Sequence, residues 1–207
     1  LLLFLGIDAI EEAIEVSNEN LAGSFNGILL TATVVVISFI GLYYAGQKLI
    51  DRADSSKLTK PVAIALMIAI GIGLHNFGEG LAIGAAVGLG SIAFSTFLIV
   101  GFALHNTTEG IAIAAPMSRG KLMIGKLAIM GMIAGTPAIF GAWIGGFAYS
   151  PFTSVIFLAI GAGAIFQVIL ILMKWIQKEN DGNLSNLSVV SGFAIGMLVM
   201  YLTSILV

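Results

Sequence analysis

The chain has 207 residues, of which 58% are hydrophobic and only 10% are charged, and its formal net charge is −2. A soluble domain of this length carries about a quarter charged residues, so the composition excludes an ordinary soluble domain and indicates helices that cross a lipid bilayer. The slight negative net charge argues against a nucleic-acid partner. The lack of cysteine in the sequence excludes disulfides and thiolate metal ligands.

The apolar segments predict an all-α fold, a polytopic transmembrane helix bundle in a single domain that covers residues 1–207. Each segment approaches the roughly 20 residues that a helix needs to cross the hydrocarbon, and charged or turn-like stretches separate the segments. The chain begins inside an apolar run without an initiator methionine. We therefore expect the first span to be partial and an N-terminal piece to be missing. The predicted spans are 1–18 (partial), 25–48, 61–88, 92–117, 123–147, 152–174 and 187–207.

The basic residues predict how these spans are oriented. All nine lysines and arginines lie around the connections that follow the second, fourth and sixth spans, and the other connections contain none. Short loops rich in lysine and arginine stay in the cytoplasm. We therefore predict a multi-pass protein of the cell membrane with three cytoplasmic basic connections and an extracytoplasmic C-terminus. The basic residues are Lys48, Arg52, Lys57, Lys60, Arg119, Lys121, Lys126, Lys174 and Lys178.

Two stretches thirty residues apart are nearly identical: HNFGEGLAIGAA, which begins at His75, and HNTTEGIAIAAP, which begins at His105. These two motifs contain both histidines of the chain. Residues four apart share one face of a helix, so His75 pairs with Glu79, and His105 pairs with Glu109. Each pair lies near the centre of its span, and consecutive spans run in opposite directions. The four side chains are therefore predicted to converge at the bilayer midplane.

This convergence predicts a site for a divalent metal ion. An ionised carboxylate at the centre of a membrane helix costs about 2.5–3.5 kcal/mol, and no lysine or arginine lies in a predicted span core to neutralise it. Two carboxylates, two neutral imidazoles and one divalent cation sum to zero charge. Such ligands suit Zn²⁺, and also Fe²⁺, Mn²⁺, Co²⁺ or Cd²⁺, better than Mg²⁺ or Ca²⁺. For either pair taken alone, a simple interhelical hydrogen bond is the alternative.

An asparagine follows each histidine, about 100° further round its helix. Each amide is a candidate ligand at the edge of the site, or it holds a neighbouring ligand in place. A hydrogen bond between helices is the alternative. The candidate metal residues are His75, Asn76, Glu79, His105, Asn106 and Glu109.

The two motifs resemble the paired HNxPEG-type motifs of the ZIP (Zrt/Irt-like protein) family of divalent-metal transporters, especially its prokaryotic members. The apolar segments are similar to the second to eighth helices of that family. The resemblance implies a ZIP-like, eight-helix plan with the first helix and part of the second absent from this chain. It also implies transport of zinc, iron or manganese toward the cytoplasm, with both termini outside. The implied ligands are His75, Glu79, His105 and Glu109, with Asn76 and Asn106 beside a second site where one exists.

This sequence departs from the family pattern in two ways. Gly78 and Thr108 stand where the family often has proline, so a kink is expected only at Gly78 and the helix at Thr108 is expected to be straighter. Thr136 precedes Pro137 where many members have a glutamate that completes a two-metal centre. Because a threonine hydroxyl is a weak ligand, we expect one metal site. A partial second site is left open.

Polar residues outside the motifs leave alternatives open. Gln167, in the middle of the 152–174 span, either lines an ion path or is a packing residue with satisfied hydrogen bonds. An acidic helical face on the first span either concentrates cations at an entrance or is a solvated helix end. That face carries Asp8, Glu11, Glu12, Glu15 and Glu19.

The leading hypothesis is a membrane transporter that moves divalent transition-metal cations into the cytoplasm, with zinc preferred and iron or manganese as alternatives. The chain is predicted not to be an enzyme and to have no resident cofactor, because the metal is its cargo. Its partners are the metal ion and the lipid bilayer, and a homodimer is left open. Four ligands hold an ion tightly, which favours a carrier over a channel. The rival hypotheses are an intramembrane zinc-dependent hydrolase, disfavoured because both glutamates serve as ligands, and a non-transporting metal-binding membrane protein.

Overall fold

The structure is a computed structural model that describes residues 2–21, 26–53, 59–118 and 124–206. Within these ranges it contains helices and no β-strand, which confirms the predicted all-α fold. A short 3-10 turn at Ala115–Met117 follows the fourth α-helix. The α-helices are α1 (Leu2–Asn20), α2 (Gly27–Ala53), α3 (Lys60–Gly88), α4 (Ile92–Ala114), α5 (Ile124–Ala148), α6 (Pro151–Glu179) and α7 (Leu187–Leu206).

Proline and glycine set several helix ends. α3 begins after Thr59, whose backbone is extended, and has Pro61 in its first turn, where the missing N–H breaks no helical hydrogen bond. α6 likewise begins with Pro151 after an extended Ser150. Gly90, with a φ of +74°, forms the turn between α3 and α4 because glycine adopts this left-handed conformation without a steric penalty. These breaks explain why the apolar runs predicted the helices closely.

In the described part of the chain, five helices are long and apolar enough to cross a membrane: α2, α3, α4 with its 3-10 turn, α5 and α6. By length and composition, this confirms a bundle with several membrane-spanning helices. α1 is not among the five, since its second half is rich in carboxylates. α7 contains an apolar stretch at Leu187–Val199.

α3 lies at the centre of the bundle. It packs against α4, α5 and α6, and it is buried on nearly all sides. A helix that is hydrophobic all round is typical of such an inner position. Its isoleucines meet those of α6 in the apolar core, where Ile68, Ile72 and Ile165 are fully buried. The first motif therefore lies on the best-packed helix of the described structure.

Glycines bring the backbones of α3 and α5 into direct contact. A β-carbon at Gly80 would overlap the carbonyl oxygen of Ala138, and a β-carbon at Gly84 would overlap that of Ala142. In the opposite direction, a β-carbon at Gly141 would overlap the carbonyl oxygen of Phe77. Small residues allow membrane helices to approach this closely. Because the contacts advance in the same direction along both chains, α3 and α5 run parallel and their axial register is fixed.

The remaining helices lie around this inner group. α1 and α2 pack mainly on α6, and the hydroxyl of Ser38 on α2 donates a hydrogen bond to the Ile160 carbonyl at 2.9 Å. α4 packs mainly on α3, and α7 contacts α4. α4 therefore presents the second motif from the outside of the bundle toward α3.

Candidate metal centre

Three side chains from the two motifs form a compact cluster. The ligand atoms of His75, Glu79 and His105 lie within 4.8 Å of one another, and all three residues are buried. His105 Nε2 lies 2.5 Å from Glu79 Oε1 in a hydrogen bond. His75 Nε2 lies 3.2 Å from the same oxygen, without the alignment of a hydrogen bond. One carboxylate oxygen is thus shared by two imidazoles from different helices.

Local packing fixes the orientation of these side chains. His75 and Glu79 are one turn apart on α3, as their spacing predicts. The backbones of α3 and α6 approach each other closely at His75, since a β-carbon at Gly161 on α6 would lie 3.0 Å from His75 Cα. The ring of His105 packs on Phe102, with 5.4 Å between the ring centroids. The cluster is therefore enclosed by α6 behind α3 and by an aromatic ring on α4.

Glu109 lies beside this cluster and is not part of it. The residue is 1% exposed, and neither of its carboxylate oxygens has a hydrogen-bond partner in the described structure. It interacts electrostatically with His75, Glu79 and His105. Three of the four predicted ligands therefore come together directly, and the fourth is a buried carboxylate near them whose oxygens are not hydrogen-bonded within the described residues.

The two asparagines differ in their contacts. Asn76 Nδ2 donates a hydrogen bond to the carbonyl oxygen of Ala134 on α5 at 3.2 Å, and its side chain also lies beside the Glu109 carboxylate. The Oδ1 atoms of Asn76 and Asn106 are both buried and lack a partner in the described structure. Asn76 is therefore tied to α5 through its amide nitrogen, which leaves its oxygen available to the centre.

The positions that depart from the family pattern do not contribute side chains to the cluster. α4 continues without a break through Thr108, whose hydroxyl donates to the His105 carbonyl at 2.5 Å. α3 is likewise one continuous helix through Gly78. Thr136 is exposed, in a shallow hollow with Pro137 and Phe140 on the outer side of α5. α5 contributes the Ala134 carbonyl and no carboxylate.

Two carboxylates of α1 lie within electrostatic range of the centre, which the sequence pattern did not indicate. Asp8 interacts electrostatically with His75 and His105, and Glu12 interacts with His75 and Glu79. Glu12 also lines a cavity of about 320 Å³ that reaches from Leu89 to Gly78, next to Glu79. The sequence placed these residues on an acidic face, and the packing of α1 on α6 brings Asp8 and Glu12 within electrostatic range of the centre.

Comparison of the chain with known protein families, with curated proteins and with solved structures finds no match. The assignment of a function therefore depends on the side chains just described and on the two motifs.

Proposed function

We propose that this chain is a ZIP-type membrane transporter that carries divalent transition-metal cations, with Zn²⁺ as the preferred cargo, into the cytoplasm. The observation that carries the proposal is the Glu79 oxygen shared by His75 and His105. Beside it, Glu109 is buried and has no described donor. A divalent cation bound among these groups would be coordinated by the imidazoles and would neutralise the carboxylates.

The charge balance supports a cation as cargo. Two carboxylates and two neutral imidazoles bring two negative charges, which one divalent ion neutralises. Zn²⁺ usually takes four nitrogen and oxygen ligands, which is the number that these side chains offer. Burying an unpaired carboxylate is costly, so the ion would also stabilise Glu109. The same ligands bind Fe²⁺ or Mn²⁺, which makes these ions the secondary cargoes.

The direction of transport in this proposal follows from the basic residues. Lys48, Lys60 and Lys174 all lie at helix ends on the Lys60 side of α3, which the positive-inside rule assigns to the cytoplasm. The cavity beside Glu12 is then on the extracytoplasmic side. A cation enters through this cavity, loses water at the centre, and leaves toward the basic end when access to the centre alternates.

A zinc-dependent hydrolase is the second candidate, because one observation favours it. Two histidines and one glutamate form a three-ligand set, and Glu109 stands outside it, where a general base would be needed. Transport is preferred because a hydrolase needs room for its substrate at the metal. None of the four motif side chains lines the 320 Å³ cavity.

The test is zinc uptake by the purified protein in liposomes. We expect His75→Ala and Glu109→Ala to reduce uptake at least about tenfold, since each removes a ligand of the cargo. Thr107→Ala is the matched control, because the Thr107 side chain is exposed on α4 and bonds only to its own helix. Uptake that is unchanged in both site variants would reject the centre as the transport site.

Two further outcomes identify the rival functions. Wild-type protein that binds zinc stoichiometrically but gives no uptake would indicate a metal-binding protein that does not transport. A Glu109→Gln variant that retains zinc but loses hydrolysis of peptide or ester substrates would indicate the hydrolase. Transport predicts no hydrolysis in the wild type.

A further inference from the structure

The carboxamide of Gln167 is buried in the middle of the bundle without a hydrogen-bond partner. Gln167 lies on α6 with 0% exposure, and neither its Nε2 nor its Oε1 is bonded within the described structure. Buried polar groups in proteins almost always bind another protein group, water or an ion. Lipid supplies no substitute inside a membrane. Within the described structure, Gln167 thus lacks the hydrogen bonds that a satisfied packing residue would make.

Gly46 on α2 leaves space for this carboxamide, and Gly71 on α3 lies beside it. A β-carbon at Gly46 on α2 would lie 3.1 Å from Gln167 Nε2, and a β-carbon at Gly71 on α3 would lie 3.7 Å from Oε1. Because neither residue has a side chain, the polar atoms face the two helix backbones. The carboxamide thus lies where three helices meet.

Gln167 is close to the metal centre, on its Lys60 side. Gly71 precedes His75 by one helical turn, and Gly161, which contacts His75, precedes Gln167 by six residues on the antiparallel helix α6. Both helices therefore put Gln167 roughly 5–9 Å of helix rise from His75. Under the proposed orientation, this is the side on which the cation leaves.

We propose that Gln167 is a second, weaker station for the transported divalent cation, reached after the cation leaves the His/Glu centre. Its Oε1 contacts the partly hydrated ion or a water in the hydration shell of that ion. This inference depends on the proposed transport function, because it concerns the step after the cation leaves the His/Glu centre. A single neutral oxygen binds a divalent cation far less tightly than two carboxylates and two imidazoles do. Such weak binding suits an exit site, from which the ion must be released.

The experiment separates binding at the centre from passage through the protein. Zinc affinity is measured on purified protein by competition with a fluorescent chelator, and zinc uptake is measured in liposomes. Gln167→Leu keeps the volume but removes both polar atoms, and Gln167→Met is a second variant in case leucine prevents folding. Gln177→Leu is the matched control, since Gln177 is exposed on the same helix.

We expect the Gln167 variants to bind zinc with wild-type affinity but to take it up about fivefold to tenfold more slowly, because one contact on the exit path is lost. Wild-type uptake in both variants would reject the proposed cation site at Gln167 and leave this residue with a packing role only. Parallel loss of affinity and uptake would also overturn it, because Gln167 would then belong to the centre. The wild type is measured first. If it gives no uptake, the proposed transport function is rejected before the Gln167 variants are compared.

Discussion

α3 and α4 carry the same motif in different surroundings. In α3, 67% of the apolar stretch is buried, whereas in α4 only 22% is buried. α3 is also in backbone contact with α5 through Gly80 and Gly84. α4 packs mainly on α3, and His105 of the second motif is hydrogen-bonded to Glu79 of the first. The first motif therefore belongs to the fold as well as to the centre, and the second belongs mainly to the centre.

The largest expected difference between the motifs is at the glycine that follows each glutamate. A β-carbon at Gly80 would overlap the Ala138 carbonyl, while a β-carbon at the equivalent Gly110 would have no neighbour within 4 Å. We expect Gly80→Ala to lower the free energy of unfolding by about 3 kcal/mol, because the α3 and α5 backbones must separate. We expect Gly110→Ala to leave it unchanged or to raise it by up to about 1 kcal/mol, because alanine favours the helix.

Thermal unfolding of the two glycine variants in detergent, with a chelator present, checks this difference. Each variant serves as the control for the other, since the substitution and its position in the motif are the same. Equal destabilisation by both would contradict the view that only α3 is fixed by backbone contact.

The glutamates are expected to differ in the metal-free protein. Glu79→Gln removes the charged acceptor that lies beside both imidazoles, so we expect it to lower the free energy of unfolding by about 2 kcal/mol. Glu109→Gln removes a buried carboxylate that has no described donor, so we expect no loss and a gain of up to about 1 kcal/mol. Both variants should lose most of the stabilisation that added zinc gives to the wild type. Melting curves with and without zinc measure both effects. A similar loss of metal-free stability in the two variants would contradict the expected difference between Glu79 and Glu109.

The helices and the cluster of three could be predicted because their causes are local. Apolar runs of membrane-spanning length, broken by Pro61, Gly90 and Pro151, determine where the helices lie. The four-residue spacing alone puts His75 over Glu79. The antiparallel pairing of adjacent spans was sufficient to bring His105 to the same place.

The remaining features depend on contacts between helices that are distant in the sequence. The position of Glu109 outside the cluster depends on how α4 is rotated against α3, and no periodicity in the sequence encodes that rotation. Asp8 and Glu12 come within electrostatic range of the centre because α1 packs on α6. The carboxamide of Gln167, which has no partner in the described structure, lies beside Gly46 and Gly71 on two other helices. That the candidate residues bind metal stays a prediction.

A smaller difference is expected between the two asparagines. Asn76 is buried and bonds to the Ala134 carbonyl, while Asn106 is half-buried and has no described partner for its Oδ1. We expect Asn76→Ala to lower the free energy of unfolding by about 1–2 kcal/mol and Asn106→Ala by less than about 0.5 kcal/mol. Melting of the metal-free variants tests this ranking, and a greater loss in Asn106→Ala would reverse it.

The smallest effect is expected on α5, the helix that meets the centre through its backbone. Thr136 is exposed on the outer side of α5, whereas the Ala134 carbonyl of the same helix accepts the bond from Asn76. We expect Thr136→Ala to change stability by less than about 0.5 kcal/mol and to leave zinc affinity unchanged. Thr136→Glu should bind no additional zinc, because its carboxylate would lie on the far side of the helix from His75. Zinc content after desalting measures this directly. A second equivalent of zinc in Thr136→Glu would mean that α5 turns this position toward the centre, and the one-ion site would then be wrong.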